Sequence, residues 1–83
     1  MLITNKRGLH ARASAKFVTM TVRFAATVEV EKDGSAVVGT SIMGLMMLAA
    51  GPGDEIEIRA CGADAEAALA ALVDLVEAKF GEE

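Results

Sequence analysis

The chain has no tryptophan and no tyrosine, and its 83 residues include one cysteine, one histidine, one proline and three phenylalanines. Each scarcity excludes something. A lone cysteine, Cys61, rules out an intrachain disulfide and any cysteine-cluster metal site. One Cys with one His cannot close a structural zinc site, so no metal and no cofactor is expected. The missing aromatics leave no stacking platform for a nucleic-acid strand, and the net charge of −4 opposes a phosphate backbone. The longest apolar stretch, Ile42 to Ala50, falls well short of the roughly 20 residues a membrane span needs. No long apolar region follows Met1–Arg7, as a secretory signal would require. The expectation is a soluble, cytoplasmic monomer forming one domain over residues 1–83, a length too small for two cores.

What is present is apolar and unevenly charged. Apolar residues make up 53% of the chain, which suits a compact fold and not a disordered one. Residues 1–24 carry Lys6, Arg7, Arg12, Lys16 and Arg23 and no acid, a local charge of +5. Residues 25–83 carry all twelve acids and only Lys32, Arg59 and Lys79, a charge of −9. A segregated positive field of this kind favours an anion or an acidic partner surface.

The periodicity predicts seven elements. Met1–Thr4 reads as a short strand, and Asn5–Gly8 as a turn. Ala13, Phe17, Met20 and Phe24 recur at helical spacing, giving a helix from Ala11 to about Arg23 with Arg12, Lys16, Thr19 and Arg23 on its polar side. Thr27–Lys32 alternates as a half-buried strand, Asp33-Gly34 is a hairpin turn, and Ser35–Val38 returns. Ser41 is placed to cap a short helix from Ile42 to about Ala49, in which Leu45 and Leu48 form the buried pair. Gly51-Pro52-Gly53 ends it. Glu55–Ala60 alternates again, and a long helix from about Asp64 to Lys79 buries Leu69, Leu72, Val73, Val76 and Phe80. Cys61 is expected to be a small core residue. The order β-α-β-β-α-β-α suits an α+β domain of two layers, with the sheet either antiparallel or mixed.

Two positions carry candidate chemistry. His10 stands in Gly8-Leu9-His10-Ala11-Arg12, at the start of the first helix. A helix start offers unsatisfied N–H groups and the positive end of the dipole, which together hold anions such as phosphate. Arg12 adds a planar cationic fork, and a neutral imidazole nitrogen is a competent nucleophile near neutral pH. The local reading is a histidine built to be phosphorylated. Ser41 is an N-cap that also tolerates phosphate, because a dianion at a helix N-terminus leaves the fold standing. Ile42, Met43 and Met46 beside it read either as a tucked helix with methionine gap fillers or as a soft partner patch.

Gly8-Leu9-His10-Ala11-Arg12 resembles the phosphohistidine motif of the HPr family, phosphocarriers of the phosphoenolpyruvate-dependent phosphotransferase system. Ser41-Ile42-Met43-Gly44 resembles the family's regulatory serine motif, and Lys32-Asp33-Gly34 and Asp64-Ala65-Glu66-Ala67-Ala68 also fit, in order and over essentially the whole chain. The resemblance implies an open-faced β-sandwich with a four-stranded antiparallel sheet and three helices on one face. It implies that His10 accepts a phosphoryl group on Nδ1 from phosphorylated enzyme I and passes it to a IIA-type domain. Arg12 would stabilise the phosphate. Ala11, Lys16, Ile42, Met43 and Met46 would make the docking surface, and Ser41 would be the target of an HPr kinase/phosphorylase where the host has one. Such a protein is a phosphoryl carrier and not an enzyme.

The chain departs from the family pattern at three points. Ala13 stands where proline usually follows the arginine, the first strand is short, and Ser14 occupies a position that is usually apolar. Alanine at that position is familiar in the nitrogen-related branch, so an NPr-type regulatory carrier is the alternative to a sugar-uptake carrier. Two further readings compete: a module whose phosphorylation state is read by a target protein, and a small enzyme using His10 as general acid or base. The second is disfavoured because no carboxylate, serine or thiol is placed by sequence beside His10.

Overall fold

The computed structural model describes residues 1–82. Three helices lie against a three-stranded antiparallel sheet: α1 (Ala11–Thr21), β1 (Thr27–Lys32), β2 (Ser35–Val38), α2 (Ile42–Met47), β3 (Glu57–Cys61) and α3 (Ala65–Glu77), followed by a 3₁₀ turn at Lys79–Gly81. The strand order is β2-β1-β3.

The hairpin forms where Asp33 and Gly34 both take positive φ, 51° and 84°, the two-residue geometry that matches strand twist. Lys32 then pairs with Ser35, and Glu29 with Val38. On its other edge β1 pairs with β3, Thr27 with Cys61 through Glu31 with Glu57. Period-two alternation sends Val28, Val30 and Ile58 toward the helices. The same alternation sends Glu29, Glu31, Glu57 and Arg59 to the open face, where Arg59 bonds Glu29 at 2.6 Å, Glu31 at 2.8 Å and also Glu57. These pairs are exposed, so they contribute little to stability.

Under the sheet, Phe17 and Ala13 of α1 meet Leu45 of α2, its C-cap Leu48, and Leu72, Val76 and Phe80 of the C-terminal region in one cluster with Ile3, Val30 and Ile56. The predicted Leu45–Leu48 pair is buried, at 0% and 7% exposure. Among the described residues no helix is long and apolar enough to cross a membrane.

Several expectations are corrected. Among the described residues the sheet has three strands and not four. Met1–Ile3 does run beside Gly53–Ile56, with Ile56 N–H to the Met1 carbonyl at 2.8 Å and Ile3 N–H to the Asp54 carbonyl at 2.9 Å. Only Leu2–Glu55 reaches bridge geometry, however, because the chain bends into the Asn5–Gly8 turn directly afterwards. The third strand begins at Glu57 rather than Glu55. The first helix ends at Thr21 and not Arg23, leaving Phe24 in the following turn; the second ends at Met47; the third spans Ala65–Glu77. The buried stripe of α3 is Ala68, Leu72 and Val76, while Leu69 is 36% exposed and Val73 half-buried. Cys61 is exposed, not core. It shares parity with Glu57 and Arg59, so its side chain belongs to the open face.

Candidate functional site

Gly8 sets the approach to His10. Its φ is +61°, and a Cβ there would lie 2.1 Å from the Ala50 carbonyl oxygen, so only glycine fits. Gly8 N–H closes the turn on the Asn5 carbonyl at 3.2 Å, and Leu9 N–H bonds the Ala50 carbonyl at 2.9 Å. The loop that carries His10 is therefore tied to the segment leaving α2. Ser14, buried, donates its hydroxyl to the Leu9 carbonyl at 3.2 Å, which secures the first turn of α1 to the same loop.

His10 is the N-cap of α1, as the sequence placed it. Its backbone is extended, and its Nδ1 accepts the Arg12 N–H at 3.3 Å. An acceptor nitrogen carries the lone pair, so the proton of a neutral ring sits on Nε2. That proton faces Oε2 of Glu82, in contact with Nε2. The other carboxylate oxygen of Glu82 accepts from Asn5 Nδ2 at 3.1 Å. Asn5 is fully buried and also donates to the Gly8 carbonyl at 2.9 Å, so both its amide protons go to acceptors and its orientation is determined. The side chains of His10 and Glu82 are 15% and 14% exposed, so the ring is held from below with its Nδ1 edge at the helix start. Burial raises the Glu82 pKa, but the hydrogen bonds from Asn5 and His10, with the charges of His10 and Lys16, outweigh this and hold it below the usual glutamate value.

Arg12 and Ala11 are exposed at the first turn. Arg12, Lys16 and Arg23 rim a shallow groove of about 320 Å³ floored by Ala15, Met20 and Leu75. Lys16 is partly committed: its ammonium donates to the Phe80 carbonyl at 2.6 Å. Ser41 caps α2, its Oγ accepting Gly44 N–H at 2.9 Å. Beyond the cap, Ile42, Met43 and Met46 are exposed, and Met43 reaches 70%. Met47, which the sequence reading did not single out, is the most exposed at 80%. α2 packs on α1, and the Ala50 carbonyl just beyond α2 bonds the loop that carries His10. Among the described residues no group of three or more His, Cys, Asp or Glu could hold a metal ion.

The sequence reading placed His10, Arg12 and Ser41, and missed Glu82 and Asn5. Glu82 is 72 residues from His10 and lies beyond the last helix, so no local spacing links them. One signal was present: Gly81 after the helix marks a chain reversal.

Known proteins resemble this chain in both sequence and fold. The family described as "PTS HPr component phosphorylation site" matches residues 1–78. The phosphocarrier protein HPr of Neisseria meningitidis serogroup A is 54% identical over 80 residues, 96% of this chain and 90% of that protein. The phosphocarrier protein NPr of Shewanella violacea is 41% identical over 80 residues, covering 96% of this chain and 88% of its own. The crystal structure of HPr-C-His from Thermoanaerobacter tengcongensis superposes with a TM-score of 0.95 at 48% identity, over 100% of this chain and 93% of that one. A histidine capping a helix start, a sheet under three helices and these whole-chain matches lead to one conclusion: the chain belongs to the HPr family, the phosphocarrier proteins of the phosphotransferase system.

Proposed function

We propose that His10 is the phosphoryl acceptor of this carrier, taking the group on Nδ1 from phosphorylated enzyme I and giving it to a IIA-type domain. The observation that carries this reading is the capping geometry: Nδ1 lies at the start of α1 beside the Arg12 amide, where a phosphate meets unsatisfied N–H groups and the positive dipole end. Arg12 supplies a mobile cation to the phosphoryl oxygens as charge develops. Ala11, Lys16, Ile42, Met43 and Met46, with the newly noted Met47, form the docking patch: an apolar centre with a basic rim, suited to a transient complex with an acidic partner. The carrier works as a cytoplasmic monomer, without metal or cofactor.

Ser41 is the regulatory position. A phosphate on its Oγ would stay at the start of α2, where the fold tolerates it, and would set a dianion against Ile42 and Met43. An HPr kinase/phosphorylase is the partner this implies, where the host has one. Ala13, standing where the family usually has proline, supports a second reading as a nitrogen-related carrier whose phosphorylation state is sensed by target proteins.

The test is incubation with enzyme I and phosphoenolpyruvate, followed by intact mass and acid treatment, with His10→Ala in parallel. One acid-labile phosphate absent from the variant is the expected result. A label that survives in His10→Ala, or none on the native chain beside an active enzyme I, would overturn the assignment. Offering the phosphorylated chain to sugar-specific and nitrogen-related IIA domains then separates the two branches.

A further inference from the structure

The chain after α3 makes an unusual reversal. Lys79, Phe80 and Gly81 take φ of 56°, 56° and 70° in succession. Left-handed backbone disfavours the L residues among them by roughly 1 kcal/mol or more each, so such a run persists only where surrounding contacts impose it. Here the contacts are explicit. The Phe80 side chain is 1% exposed in the core, and its carbonyl accepts the Lys16 ammonium at 2.6 Å. Gly81 N–H bonds the Ala78 carbonyl at 2.9 Å, and Glu82 N–H bonds the Lys79 carbonyl at 3.1 Å. The outcome is that Glu82 returns to the other end of the chain and lies against His10, with its second oxygen held by Asn5.

We propose that Glu82 is a positioning residue for phosphoryl transfer: its carboxylate accepts the Nε2 proton of His10 and thereby keeps the lone pair on Nδ1, at the start of α1. The inference rests on His10 being the phosphoryl acceptor. A histidine ring has two nitrogens of similar reactivity, and a hydrogen bond at one decides which is free. With Nε2–H given to Glu82, only Nδ1 is nucleophilic. As Nδ1 forms its bond to phosphorus, the P–N bond to the donor protein's phosphohistidine breaks and its electron pair returns to the donor ring. The proton of His10 stays on Nε2. The ring therefore gains positive charge, and the Glu82 carboxylate already faces it. Asn5 fixes the carboxylate plane, and Lys16 anchors the reversal that delivers it.

Imidazole ¹⁵N shifts of His10, recorded at pH 8 on the whole chain and on Glu82→Ala and Glu82→Gln, test the tautomer directly. Rates of phosphoryl acceptance from enzyme I and phosphoenolpyruvate on the same proteins test its use. In the native chain the Nδ1 resonance should be that of an unprotonated nitrogen and Nε2 that of a protonated one. Glu82→Ala should move both toward averaged values and slow acceptance by roughly tenfold, the low end for loss of an orienting partner. Glu82→Gln keeps an acceptor oxygen without the charge, so it should retain most of the tautomer bias and lose less rate. Thermal unfolding of each variant controls for the fold, which the glutamine variant is chosen to preserve. Unchanged ¹⁵N shifts in Glu82→Ala would overturn the proposal, as would altered shifts with an unaltered rate. If instead the native chain takes no phosphate, the carrier assignment of His10 fails and the positioning role fails with it, even where the shifts respond.

Discussion

Leu69 and Leu72 lie three residues apart on α3, yet Leu72 is fully buried and Leu69 is 36% exposed. The helix turns its Ala68–Leu72–Val76 line into the core and leaves Leu69 on its flank. Replacing Leu72 with Ala should therefore cost about 2–5 kcal/mol, through lost transfer energy and the cavity left behind. Leu69→Ala should cost less than about 1 kcal/mol, because much of its surface already meets water. Urea unfolding of the two variants measures this, and equal losses would show that the two leucines share one environment.

Gly8 and Gly34 both take positive φ, but only Gly8 lacks room for a side chain. Gly34→Ala should lower stability by about 1 kcal/mol, the backbone cost alone. Gly8→Ala must also displace the Ala50 carbonyl, so it should lose clearly more and loosen the turn that carries His10. Comparable urea midpoints for the two variants would remove the steric argument.

Ser41→Ala deletes the oxygen that accepts Gly44 N–H and should cost about 1 kcal/mol, a fall in Tm of about 4–8 °C for a chain of this size. Ser41→Asp keeps an acceptor and should unfold close to the native temperature. A large loss in the aspartate variant would contradict the view that a negative group is tolerated there.

The Asp54 pKa is held below the usual aspartate value of 3.8, chiefly by the Gly51 N–H that bonds its carboxylate at 2.9 Å, with Lys32 3.5 Å away adding to the effect against partial desolvation. A carboxylate with a depressed native pKa stabilises the fold above its unfolded value and loses that contribution as pH falls through the native one. Native stability should thus decline on acidification from about pH 4 downward. Asp54→Asn should show a shallower decline over the same window, and parallel curves would exclude Asp54 from the acid response.

Cys61 is on the open face of the sheet and should react with a thiol reagent in the folded protein. One equivalent at native conditions, at a rate close to that in denaturant, is the expected titration. Reaction only on unfolding would return Cys61 to the core.

Much of this molecule was legible in local chemistry. The Asp33-Gly34 turn, the alternation of β1, the Ser41 cap and the Leu45–Leu48 pair each depend on residues within one or two turns of one another. Short-range sterics and hydrogen bonding decide such features wherever the chain lies. The same holds for His10 at the helix start, since capping is a contact within the first turn. The exposure of Cys61, against the expectation of a core residue, is equally local: strand parity sets it opposite to Ile56, Ile58 and Ala60.

The rest depended on contacts between distant segments. No periodicity could say that Met1–Ile3 meets the sheet in a single bridge, because strand pairing requires a partner more than fifty residues away. Which flank of α3 is uncovered follows from how it sits on β3 and α1, not from its own apolar count. The pairing of His10 with Glu82 is the clearest instance. Local spacing alone set an imidazole at the positive end of a helix. Only the tertiary structure brought a carboxylate to its far nitrogen, because the left-handed run at Lys79–Gly81 is imposed by burial of Phe80 and by the Lys16 ammonium, both long-range contacts.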